Sequence, residues 1–107
     1  MTELPAEIQA VAAELESSLE QPGFPGSIPQ LCGRLEQLLP HLAENPLLLP
    51  YSVEIHKQLR LIGSDLSFWQ VARQAQGRSQ RQDQISQRLK LLFGYCESMI
   101  EQLSPPQ

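Results

Sequence analysis

A chain of 107 residues holds one domain, and its 41% apolar content belongs to a globular fold rather than a disordered one. That size supports one modest core and leaves little room for a deep substrate cleft. The net charge of −4 and pI near 5.0 speak against a general polyanion binder.

Thr2 is placed to cap a first helix, with Pro5 in its first turn, where a missing N–H costs nothing. Its apolar stripe is Leu4, Ile8, Val11, Leu15 and Leu19. Gln21-Pro22-Gly23-Phe24-Pro25-Gly26 stops it, and Ser27 caps a second helix. The second stripe is Ile28, Leu31, Leu35, Leu38 and Leu42, with Cys32 and Leu39 alongside. Pro40 either kinks this helix or ends it near Leu39, and Asn45-Pro46 closes the segment. Folded about Phe24, the two stripes fall in register, Leu19 with Ile28 and Ile8 with Leu39.

A third helix is expected from about Leu47 to Ala75, with Ile55, Leu59, Ile62, Leu66 and Trp69 on its seam. Gln76-Gly77-Arg78-Ser79 reads as a break with Ser79 as N-cap. Ile85, Leu89, Leu92, Cys96, Met99 and Leu103 then form the fourth seam. Folding back at the break pairs Trp69 with Ile85, Leu66 with Leu89, Ile62 with Leu92 and Leu59 with Cys96. The expected fold is all-α: an antiparallel four-helix bundle, one domain over 1–107, made of a short αα-hairpin (about 3–44) and a long one (about 47–103).

The first two helices would reach roughly 25 Å and the third roughly 43 Å at 1.5 Å per residue. The far end of the long hairpin should therefore project beyond the short one. A second apolar row on the third helix, Leu61, Phe68 and Ala72, has no obvious cover near that end. Asp65 lies in the same row and needs a partner if buried; Arg88 falls opposite it. Residues 1–54 carry eight acids and one base, and residues 55–107 seven bases and four acids. Either the halves complement each other in the fold or the basic hairpin meets an acidic partner. The candidate partner-binding residues are Asp65, Phe68, Trp69, Arg73, Arg78, Arg81 and Arg88.

Catalytic and metal signals are missing. Cys32 and Cys96 sit on apolar helical positions and read as small buried thiols. His41 and His56 have no metal-ligand spacing with them. No nucleophile–base pair, phosphate loop or paired acids occur, so no enzyme activity and no cofactor are expected. No apolar run approaches the ~20 residues that span a bilayer. Leu47-Leu48-Leu49 is short and is followed by Pro50, and the N-terminus lacks a signal-peptide layout. A cytoplasmic location without membrane contact is expected.

From His56 onward, over about 40 residues, the chain resembles the cyanobacterial PatD family, named for control of heterocyst frequency. The resemblance rests on Lys57-Gln58-Leu59-Arg60-Leu61, Asp65, Phe68, Ala72-Arg73-Gln74, Arg88-Leu89 and Tyr95-Cys96. It implies a small helical regulator without enzyme activity, linked to heterocyst choice and, through the tubulin-like protein FtsZ, to cell division. In unicellular cyanobacteria the division role would be the one that applies. The partner expected from this resemblance is FtsZ, whose acidity suits a basic hairpin; a homodimer is the other way to cover the apolar row. The competing function is nucleic-acid binding through Arg73, Arg78, Arg81, Arg88 and Lys90, with Trp69 stacking on bases. The low pI and the absence of a reader motif stand against it.

Overall fold

Apolar residues at alternating three- and four-residue spacing put one greasy stripe on each helix, and burying the four stripes together makes the core. The computed structural model describes residues 4–20, 28–71 and 74–103. Among these the chain is helical, with no strand: α1 (Leu4–Glu20), α2 (Ile28–Ala43), α3 (Leu49–Val71) and α4 (Ala75–Leu103). Helix α1 packs on α2 and α4, and α3 packs on α2 and α4, while the pairs α1–α3 and α2–α4 do not approach each other among the described residues. Ile8, Leu15, Ile28, Leu42, Leu48, Ile55, Ile62, Ile85, Leu92 and Met99 are wholly excluded from solvent in one shared core. The molecule is elongated, 50 × 23 × 23 Å.

The expected caps Thr2 and Ser27 and the stop Gln21–Gly26 lie outside the described residues. Exposed Arg34 and Glu14 form an ion pair between α2 and α1. Helix α2 does not end at Leu39: it runs through Pro40 to Ala43. An internal proline costs roughly 3 kcal/mol in lost helix bonding. Burial of Leu38 and Leu42 on either side of it keeps the last turn on the core. Asn45 then builds the turn into α3. Its Oδ1 accepts from the Leu47 N–H at 2.9 Å. Its carbonyl accepts from the Leu48 and Leu49 N–H groups, both at 2.9 Å.

The break between α3 and α4 is not at Gln76–Ser79. Those residues lie inside α4, which starts at Ala75, and α3 stops at Val71. An interior glycine costs only about 1 kcal/mol against alanine, so Gly77 does not end a helix by itself. Side-chain contacts join α3 to α4. Tyr51 meets Tyr95 edge-on at 6.4 Å, Gln58 meets Arg88 and Asp65 meets Arg81. Asp65 also meets Arg88, at 2.7 Å, the pairing expected alongside Trp69–Ile85, Leu66–Leu89, Ile62–Leu92 and Leu59–Cys96. Leu66 and Trp69 are half-buried rather than core. The longest helix is α4, with 29 residues, against 23 in α3.

Burial ends abruptly. Asp65 on α3 and Ile85 on α4 are buried, and no described residue between them in the chain is. Helix α1, with 17 residues, spans roughly 25 Å, and α4, with 29, roughly 43 Å. The α3–α4 end thus extends past the reach of α1 and α2.

Candidate functional site

A spacing of seven residues is two helical turns, which puts Gln58 and Asp65 on one face of α3 and Arg81 and Arg88 on one face of α4. The two faces meet. Asp65 is 4% exposed. Its Oδ2 accepts from Arg88 Nε at 2.7 Å and its Oδ1 from Arg81 Nη1 at 3.1 Å. Arg88 Nη1 also donates to Gln58 Oε1 at 3.4 Å, and Arg81 Nη1 to Gln84 Oε1 at 3.4 Å. No described buried side-chain polar atom is left without a hydrogen bond. The carboxylate is thus fully engaged at the boundary between the core and the projecting end.

Beyond Asp65 the aromatic side chains carry guanidinium lids. Arg81 lies 4.4 Å from the Phe68 ring centroid and Arg78 4.5 Å from that of Trp69. Stacking of this kind contributes about 0.5–1 kcal/mol at exposed sites. Phe68 nevertheless remains 51% exposed, and Val71, one turn further on, 71%. The outcome is an apolar and aromatic end rimmed by arginines.

The structure brings Asp65, Phe68, Trp69, Arg78, Arg81 and Arg88 together, whereas Arg73, like Ala72 of the expected second row, lies outside the described residues. The roles within the group divide. Asp65 is too buried to touch a partner, and Arg88 is turned inward onto it, so these two position the site rather than present it. The Asp65–Arg88 pair is as expected; Arg81 as a second partner of Asp65 and Gln58 as a partner of Arg88 were not. The i, i+7 match on both helices was the available signal. Val71 was also missed, although it follows Phe68 by three residues. No described group of three or more His, Cys, Asp or Glu could hold a metal ion.

Burial shifts both thiols in the same direction. Burial, with the nearby Glu36 charge adding, pushes Cys32 from 9.0 up to about 11. Burial alone pushes Cys96 up to about 12. Compared with known protein families, curated proteins and solved structures, the chain shows no match.

Proposed function

We propose that the chain is an antiparallel four-helix bundle of a short and a long hairpin, and that it works as a non-enzymatic, cytoplasmic protein-interaction regulator. The projecting end of α3 and α4 is its binding element. The observation that carries this reading is the pairing of exposed Phe68 and Val71 with the arginines around them, at an end no other helix covers. A central apolar anchor with a rim of arginines is the make-up of an interface hot spot. The partner we favour is acidic. Through the resemblance of Lys57–Cys96 to the PatD family, it is FtsZ, with effects on division and, in filamentous species, on heterocyst frequency.

Nucleic acid fits this end less well. Arg78 and Arg81 occupy the ring faces that a base would need. Arg81 and Arg88 already face a carboxylate. No described helix is long and apolar enough to cross a membrane.

The test is a binding titration of the full chain against purified FtsZ, with single-stranded nucleic acid as the parallel probe. Phe68→Ser and Val71→Asp should each weaken FtsZ binding by about tenfold or more, as expected for interface anchors. Charge reversal at Arg73 and Arg78 should slow association and flatten its salt dependence. Affinity untouched by all of these changes, in folded variants, would remove the projecting end as the site.

A further inference from the structure

A second surface lies at the opposite end of the molecule, where α2 passes into α3. Leu47, Leu49 and Val53 are 56%, 45% and 62% exposed, which makes them half of the large exposed apolar residues described. Beside them a shallow groove between the two helices is lined by Glu36, Leu39, Pro40 and Ala43 from α2 and by Ser52, Val53 and His56 from α3. Nothing else in the described fold covers it. From Val53 to Val71 is 18 residues of one helix, roughly 27 Å at 1.5 Å per residue, so this patch is separate from the projecting end.

We propose that this face is a self-association surface, occupied by the same face of a second copy of this chain. The charges on it point to that occupant. The α2 side contributes the acid Glu36, and the α3 side contributes Lys57 and Arg60, with His56 between them. A face with an acid on one helix and bases on the next is complementary to itself after a two-fold rotation. The levels also agree. All four line the groove, and counted from the turn at Asn45–Pro46 Glu36 and His56 lie about equally far along α2 and α3, as do Leu39 and Val53. A two-fold axis parallel to the helices preserves level and exchanges sides, so α2 of one copy lies over α3 of the other. Glu36 of each copy then stands within a turn of Arg60 of the other. Leu39 and Pro40 of each copy close over Val53 of the other.

The test is sedimentation equilibrium of the full chain over a range of concentrations and at two salt levels, with the helical unfolding transition recorded for each variant. The expected result is a concentration-dependent dimer that weakens as salt rises. Val53→Asp, Arg60→Glu and Glu36→Arg should each raise the dimer dissociation constant by about tenfold or more without moving the unfolding midpoint, because all three residues are exposed. The double variant Glu36→Arg with Arg60→Glu should recover association, since both halves of each charge pair are exchanged. Phe68→Ser should leave the dimer intact while impairing partner binding, which separates this surface from the projecting end. A monomer at every concentration would overturn the proposal. So would a dimer indifferent to Val53→Asp, one dissolved by Phe68→Ser, or single charge reversals that the double variant does not rescue.

Discussion

Asp65 is the residue whose surroundings hold the end of the core together. A carboxylate this buried is tolerated because two guanidinium groups from α4 engage both of its oxygens. Removing one partner from a buried pair typically costs about 3–5 kcal/mol, mostly for the charge left behind. Here Arg81 remains when Arg88 is removed, so Arg88→Ala should cost somewhat less, about 2–3 kcal/mol in chemical denaturation. Arg78→Ala should cost under about 1 kcal/mol, since it loses only a surface stack on Trp69. Asp65→Asn should return part of the Arg88→Ala loss. Equal losses at Arg88 and Arg78, with no such recovery, would break the account of Asp65. The thiols make a separate prediction. Their folded pKa values are raised above the 9.0 of the free group, so their contribution is full below pH 9.0 and falls away as pH climbs toward 11 and 12. Alkylation at pH 8 should therefore be slow for both cysteines in the native protein and fast after denaturation. Rapid native labelling of Cys96 would contradict its burial.

At the scale of elements, the start of α4 separates two accounts of the hairpin. If Ser79 capped the helix, Ser79→Ala would cost about 1 kcal/mol. Inside α4 and exposed, it should be neutral or slightly stabilising. Gly77→Ala should stabilise by up to about 1 kcal/mol, because a Cβ there meets nothing within 4 Å. A loss of stability from both changes would return the break to Gln76–Ser79. Most of each seam was legible: Ile8, Val11, Leu15, Ile28, Leu31, Leu35, Leu38, Leu42, Ile55, Leu59, Ile62, Ile85, Leu89, Leu92, Cys96 and Met99 are buried, while Leu4, Leu19, Leu66, Trp69 and Leu103, toward the helix ends, are half-buried. Spacing marks the register less sharply than the seams. Heptad-like spacing repeats every seven residues, so a hairpin slid by one turn or two still sets leucine against leucine. Asp65 itself spans two turns of α4, accepting from both Arg81 and Arg88. Leu89→Ala should accordingly cost about 2–5 kcal/mol, and Leu66→Ala, at a half-buried position, about 1–2 kcal/mol.

At the scale of the molecule, unequal helix lengths create the functional asymmetry. Helices α1 and α2 are too short to reach the far ends of α3 and α4, and burial stops where they stop. This was readable from spacing and punctuation alone, before any side-chain geometry. The guanidinium lids over Phe68 and Trp69 were not, because they depend on the register and on which rotamers the arginines adopt.

The most direct test is the affinity of the full chain for FtsZ compared with that of Phe68→Ser. Phe68 is half exposed, with Arg81 stacked on its ring, so the variant should remain folded, within about 1 kcal/mol of the parent. We predict binding at least about tenfold weaker, with the oligomeric state unchanged. Equal affinities for the two proteins would contradict the assignment of the projecting end as the binding element.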